Sequence, residues 1–314
     1  MNILVTGATG FVGRRVCARL QKSQSYNLSS AVRQSGSNPP GSEVVIHEVD
    51  GQTSWQCALK NQQVVIHTAA RAHIMNDEVA DPLAEYRRVN VDGTLNLARQ
   101  AAEAGVRRLI YISSVKVNGE QTPAGCPFTA EDAAAPADPY GVSKLESEMQ
   151  LRQLAKDTGM EVVIIRPSLV YGPGAKGNFA TMVRLVAKGL PLPLGSIRNR
   201  RSLLALDNLV DLIVTCISHP NAANQTFLAA DGEDLSTTEL LRGVANAMGI
   251  PSRLIPVPAG LLQFGATLLG QKALARRLLG SLQVDIEHTR KCLNWTPPLT
   301  VEQGLRHCFE IRQD

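Results

Sequence analysis

The opening residues limit the fold more than any other stretch of the chain. Asn2-Ile3-Leu4-Val5 is a short apolar run of the kind that forms a buried strand, and Thr6-Gly7-Ala8-Thr9-Gly10-Phe11-Val12-Gly13 follows at once. A helical pattern then continues through Leu20. Glycine at positions 7, 10 and 13 permits a tight turn, close approach of backbone to a pyrophosphate, and close packing of helix on strand. The helix start behind that turn offers free N–H groups and the positive end of its dipole to an anion. Strand, glycine-rich turn and helix in this order predict that Gly7, Thr9, Gly10, Phe11, Val12 and Gly13 cradle a dinucleotide.

The following segments extend that expectation. Asn27 to Val32 reads as a second strand and ends on Arg33, where an acidic residue would hold the ribose 2′-hydroxyl of NAD. A guanidinium suits a 2′-phosphate, so NADP(H) is favoured; an exposed arginine over the adenine is compatible with NAD(H) too. Gln34 to Ser42, with two prolines and two glycines, is loop. Val44 to Val49 is a third strand leading to Asp50 and Gly51, and Asp50 either meets the adenine amino group or caps the next turn. A fourth strand, Val64 to His67, runs into Thr68, Ala69, Ala70 and Arg71, where small residues let backbone crowd a cofactor. His67 reads as a core or supporting residue rather than a catalyst.

Composition narrows the class. With 314 residues the chain can hold one large α/β domain or a large and a small one. Aromatics make up only 4%, and abundant Ala, Leu, Val and Gly suit parallel strands covered by helices. A formal charge of +4, from basic residues that are scattered, gives no argument for nucleic acid. Six cysteines show no metal-ligand spacing and no leader precedes the first strand, so free thiols in a reducing cytoplasm, and no metal, are expected. The apolar region Leu254 to Leu282 is interrupted by Pro256, Pro258, Lys272, Arg276 and Arg277, too broken to span a bilayer.

Chemistry concentrates in the middle. Tyr86 to Glu103 has helical periodicity with Asn90 inside it, a poor mid-helix residue unless its amide braces a neighbour. Leu109 to Ile112 is a fifth strand ending in Ser113-Ser114, which puts a hydroxyl at the carboxyl end where ligands sit. Tyr140 and Lys144, four residues apart, lie one turn apart on a helix. A phenol ordinarily loses its proton near pH ~10, and a close ammonium is expected to move that value towards neutrality. The pair can then shuttle a proton at a carbinol oxygen, with Ser114 bonding the same oxygen.

These motifs, together with Val117-Asn118-Gly119, the run from Arg166 to Gly174, the segment Gly195 to Asn208 and the terminal Leu293-Asn294-Trp295-Thr296-Pro297, resemble the extended short-chain dehydrogenase/reductase family (the NAD-dependent epimerase/dehydratase family) in order and spacing along nearly the whole chain. The resemblance implies a Rossmann-type doubly wound parallel sheet with a smaller, mostly C-terminal α/β substrate domain. It implies a dinucleotide-binding domain over 1–166 with a return segment about 203–230, and a nucleotide-sugar domain over 167–202 and 231–314. Ser114, Tyr140 and Lys144 match the family's catalytic triad, with Tyr140, Lys144 and Pro167 also against the cofactor. Arg201 matches the arginine that clamps a nucleotide-sugar diphosphate, a role suited to a fork of donors. Asn178, Val115 and Lys116 fall at substrate positions, and Arg198 reads either as a further phosphate contact or as part of a solvated basic loop.

Nucleotide-sugar 4,6-dehydratases carry an Asp-Glu pair where this chain has Val115 and Lys116, so dehydration lacks its acid and base. A C4 reductase and a C4 epimerase use the same triad. Arg33, with Ala69 to Asp77, Lys116 to Glu120 and Arg200 to Leu203, looks closest to bacterial O-antigen reductases, which convert UDP-4-keto-6-deoxy-N-acetylglucosamine to UDP-N-acetylquinovosamine. The expectation is therefore an NADP(H)-dependent C4 reductase of a UDP-sugar, with a UDP-hexose 4-epimerase carrying bound NAD as the alternative. A homodimer is usual among similar proteins. A non-catalytic NADP-binding sensor on the same fold is the reading from another class, and the presence of both Tyr140 and Lys144 argues against it.

Overall fold

The computed structural model describes residues 1–72, 81–123 and 125–310. The chain opens with β1 (Asn2–Thr6), α1 (Phe11–Gln21), β2 (Asn27–Val32), β3 (Ser42–Val45), the short α2 (Gln56–Leu59) and β4 (Val64–His67). A helical run follows: α3 (Pro82–Tyr86), a wide π turn (Arg87–Gly93) and α4 (Thr94–Glu103). Next come β5 (Arg108–Ile112), a tight helical turn at Val115–Val117, the long α5 (Pro139–Thr158), β6 (Glu161–Pro167), β7 (Leu169–Tyr171) and α6 (Asn178–Ala187). The chain continues through β8 (Arg201–Ala205), α7 (Leu206–Ser218), β9 (Thr226–Ala229) and β10 (Asp234–Leu235). Its last helices are α8 (Thr237–Ala247), α9 (Ala259–Leu268), α10 (Lys272–Leu279), α11 (Glu287–Leu293) and α12 (Val301–His307).

Among the described residues, β3-β2-β1-β4-β5-β6-β9 form a seven-stranded sheet, and every neighbouring pair is parallel. The strand order runs outward from β1 to β3, then reverses to β4 on the other side of β1, and ligands bind at such a switch. β4 and β5 are buried along their whole length, as parallel strands covered on both faces must be. One face packs on α1 and α7, around Val16, Leu20, Leu209 and Ile213; the other packs on α4 and α5, around Leu97, Ala98 and Leu151. A second sheet, β10-β8-β7, carries its own core with α6, α8 and α12.

Three elements differ from the sequence expectation. The third strand, expected over Val44 to Val49, is Ser42–Val45. The single helix from Tyr86 to Glu103 widens into the π turn, because the Asn90 carbonyl accepts from Ser147 Oγ of α5 at 2.6 Å. The return segment expected about 203–230 divides between the sheets: β8 pairs with β7 and β10, while β9 adds to the large sheet beside β6. Among the described residues no helix is long and apolar enough to cross a membrane, and no cluster of His, Cys, Asp and Glu could hold a metal ion. All six cysteines are free thiols.

Candidate active site

The carboxyl ends of β1, β4, β5 and β6 open on one edge of the large sheet. Gly7 there has φ +68°, and an added Cβ would lie 2.7 Å from Ala69 N. At Gly13 an added Cβ would lie 2.1 Å from Gly7 O, so the first turn of α1 packs directly on the loop. Gly10 starts the helix without a side-chain cap and without an acid in its first turn, leaving amide donors for an anion. Thr9 and Gly10 are exposed, and Phe11 and Val12 are half-buried. Such a turn fits a pyrophosphate.

Thr6 Oγ1 meets His67 Nδ1 at 2.6 Å, and Thr94 Oγ1 meets its Nε2 at 2.9 Å. Burial brings the His67 pKa down to about 3, so it is a neutral core residue, as its sequence context suggested. Asn90 braces the next loop: its Oδ1 accepts from Arg71 N at 2.9 Å, and its Nδ2 donates to Arg71 O at 3.1 Å and Ser143 Oγ at 3.0 Å. That amide joins the Ala69–Arg71 loop to α5. Residues 73–77, part of the reductase-like stretch, lie outside the described residues. Arg33 is exposed at the end of β2 and lines a cavity of about 500 Å³ with Thr9, Arg14, Gln34 and Ser37. Arg14 was not anticipated, since a lone arginine in a helix carries no local signal. Asp50 braces the turn that follows it: its Oδ1 accepts from Gln52 N at 3.0 Å and Thr53 Oγ1 at 2.9 Å. Those donors, the Gln52 amide first, hold its pKa below the ordinary value. Gly51 follows on the surface, and Pro167 ends β6, buried.

The structure brings Ser114, Tyr140 and Lys144 together. Ser114 follows β5 in extended geometry, its Oγ accepts from Lys116 N at 3.2 Å, and its hydroxyl works to lower the Tyr140 pKa. Tyr140 is half-buried on the first turn of α5, with the Tyr86 ring edge-on at 5.9 Å. Lys144 is 2% exposed; its Nζ donates to Ile112 O at 2.8 Å and lies 4.4 Å from the Tyr111 ring centroid. The expected lowering of the phenol pKa is reversed in the protein chain alone. Burial pushes Tyr140 up, Asp138 and Tyr86 add to the rise, and the Ser114 hydroxyl opposes it. Lys144 is a weak counterweight, since burial lowers its own pKa to about 7 and its Nζ stands 5.9 Å from the Tyr140 ring centroid.

Two supports behind the triad carried no signal that was read in the sequence. Asp138 caps α5, its Oδ1 accepting from Gly141 N at 2.7 Å, and it pairs with Lys116 Nζ. That ion pair clamps the Ser114 turn to the helix bearing Tyr140, so the Lys116 ammonium is held by protein. Asp before Pro139 is a helix-start signature and could have been read as one. Glu148, fully buried one turn past Lys144, receives Arg166 Nε at 2.9 Å and Nη2 at 2.6 Å, together with the Ser113 hydroxyl. Arg166 Nη1 continues the network to Asn118 Oδ1 at 3.0 Å. It ties the ends of β5 and β6 to α5 beneath the site.

Further out, Val115 is buried beside Ser114, and Asn178 is exposed at the start of α6. Arg201, half-buried, donates through Nη1 to Arg277 O at 3.0 Å and Gly280 O at 3.0 Å, and burial lowers its pKa. It pairs with no carboxylate among the described residues, which keeps its charge available to an anionic ligand. Arg198 is solvent-exposed.

The switch-point crevice and the Ser-Tyr-Lys constellation define a dinucleotide-dependent enzyme on a doubly wound sheet. The model of the NAD-dependent epimerase/dehydratase family matches residues 3–230, and the chain belongs to that family. It is 52% identical over 306 residues to a UDP-glucose 4-epimerase of Vibrio cholerae, covering 97% of this chain and 93% of the relative. It is 30% identical over 271 residues to an N-acetyl-α-D-glucosaminyl-diphospho-ditrans,octacis-undecaprenol 4-epimerase of Escherichia coli O157:H7, covering 83% and 77%. Among solved structures, the UDP-N-acetylglucosamine 4-epimerase of Bacillus cereus superposes with a TM-score of 0.80 at 19% identity over 98% of each chain, a likeness of fold.

Proposed function

We propose that the chain is a UDP-sugar 4-epimerase. The observation that carries this reading is the nearly full-length 52% identity to the Vibrio cholerae UDP-glucose 4-epimerase, in a chain whose Ser114, Tyr140 and Lys144 converge at the sheet edge. This places the epimerase ahead of the reductase expected from the sequence. In this reading the large sheet (1–166 with 203–230) holds the dinucleotide, and 167–202 with 231–314 hold the nucleotide sugar.

The cofactor's fit rests on the Gly7–Gly13 turn, the uncapped start of α1 and the small-residue loop at Ala69–Ala70. NAD, when bound, supplies a reversible hydride acceptor for the sugar C4. Tyr140 exchanges the proton of the C4 oxygen, accepting it as the ketone forms and returning it on reduction. Ser114 donates a hydrogen bond to the same oxygen and so fixes its position. Lys144 positions the cofactor ribose and offers charge to the phenolate that oxidation requires. Arg201, with its unused donors, receives the diphosphate.

One observation favours the reductase as a second reading. Arg33 and Arg14 face one cavity at the end of β2, an arrangement suited to a 2′-phosphate and hence to exchangeable NADP(H). Incubation of purified protein with C4-deuterated UDP-glucose, without added cofactor, separates the two. The epimerase interconverts the C4 epimers with deuterium retained and releases NAD on denaturation. Failure to interconvert, with NADPH consumed one-for-one by a UDP-4-ketosugar, would establish the reductase, and no turnover at all would revive the sensor. The proposal also places the enzyme in the cytoplasm as a homodimer, which sedimentation of the purified chain tests.

A further inference from the structure

Helix α9 turns its apolar stripe outward. None of its residues is buried. Leu261, Phe264 and Leu268, spaced i, i+3, i+7, are 63%, 64% and 71% exposed, and Leu269 is 77% exposed. In a water-soluble helix that spacing ordinarily marks the face that packs inward. Ile255 and Leu190, beside the Leu192–Leu254 pairing, are exposed as well. Scattered exposed leucines need no account, but a contiguous stripe marks a contact surface.

The chain segments that bear and flank the stripe are cationic. Between Glu161 and Asp207 the chain carries seven Lys and Arg and no acid; between Glu239 and Asp285 it carries five and no acid. The rest of the chain is net negative. α10, which packs against α9, exposes Arg276 and Arg277 in its last turn, and Arg253, which precedes α9 in sequence, is exposed as well.

We propose that the α9–α10 hairpin docks on an anionic phospholipid bilayer. Its Leu261–Phe264–Leu268 stripe enters the acyl boundary while the surrounding cations meet lipid phosphates. A second copy of this chain is a poorer occupant, because self-contact would bring two net cationic segments together. α9 is a 10-residue helix, far short of a bilayer span, so the hairpin lies in the interface. Its anchorage has a consequence for the site. The carbonyls of Arg277, Leu278 and Gly280 accept from Arg201, Asn199 and Thr237, so a docked hairpin is hydrogen-bonded directly to the arginine proposed to hold the diphosphate.

The test is co-sedimentation of the full chain with vesicles of phosphatidylcholine alone or mixed with phosphatidylglycerol. The expected result is binding to the mixed vesicles that weakens with added salt, and little binding to pure phosphatidylcholine. The triple variant L261Q/F264Q/L268Q should lower the partition coefficient about a hundred-fold while leaving turnover of a water-soluble nucleotide sugar and the circular dichroism unchanged. F264W supplies a readout independent of that variant's folding. Trp55 and Trp295, the native tryptophans, are 0% and 4% exposed, so a blue shift of emission on adding anionic vesicles reports the hairpin. Equal binding of wild type and a folded triple variant, or an F264W emission that does not move, overturns the proposal. So does loss of a dimer in the triple variant without any lipid binding by the wild type, which would give the face to a second copy.

Discussion

Lys144→Met should stabilise the nucleotide-stripped fold while abolishing activity. Burial lowers the Lys144 pKa from 10.5 to about 7. A lysine whose folded-state pKa lies below its unfolded value opposes folding wherever the unfolded chain holds the extra proton. A shift from 10.5 to about 7 corresponds to roughly 4 kcal/mol of destabilisation at neutral pH. Methionine keeps the length of the side chain and removes that penalty. It also leaves the Ile112 carbonyl without the donor it has at 2.8 Å, a loss of about 1–3 kcal/mol. The variant should therefore gain about 1–3 kcal/mol at neutral pH. The sign of the pH dependence follows. Below pH about 7 both states of the wild type hold the proton and the penalty is complete; it fades as pH rises towards 10.5, where the unfolded chain also loses its proton. Urea denaturation of both proteins across this range should show a gap that is widest at the acid end and closes at the alkaline end. A gap that does not change with pH, or a variant less stable than wild type at neutral pH, would refute the reasoning.

Other substitutions test the site from different directions. Tyr140→Phe removes the proton-carrying oxygen and leaves the ring against Tyr86, so turnover should fall by about 10²–10⁴-fold with fold and nucleotide content preserved. Undiminished turnover would remove Tyr140 from the mechanism. Glu148→Ala strands the buried Arg166 guanidinium and should cost about 3–5 kcal/mol by urea denaturation, with Glu148→Gln losing less because its carbonyl still accepts. Equal stability of wild type and Glu148→Ala would show that the buried pair contributes nothing.

The extent to which this architecture was legible depended on whether a feature was local. Gly7, Gly10 and Gly13, the strands ending at Thr6 and Ile112, and the Tyr140–Lys144 spacing are set by steric and periodic constraints within a few residues, and they emerged as expected. The capping box at Ser236 and Glu239 is local in the same sense. What was missed depends on side chains arriving from distant segments. The π turn exists because Ser147, more than fifty residues downstream, reaches Asn90 O. Asp138 reaches the Lys116 ammonium from the start of α5, twenty-two residues downstream. The Tyr140 pKa was assigned its direction from a neighbour in sequence, whereas burial by several segments sets it.

Helix α5 unites the two cases. Tyr140, Lys144 and Glu148 succeed one another at four-residue intervals along one face, and the first two stand out because their chemistry is rare at that spacing. Glu148 reads as an ordinary helix glutamate until β5 brings Ser113 and β6 brings Arg166 to it. Once those partners are in place, the carboxylate that raises the Lys144 pKa also ties that helix to the strand preceding Ser114. Burial sets the direction of the Lys144 shift and Glu148 opposes it from the group that anchors α5, so a substitution at Glu148 should lower the Lys144 pKa further and loosen that anchor together.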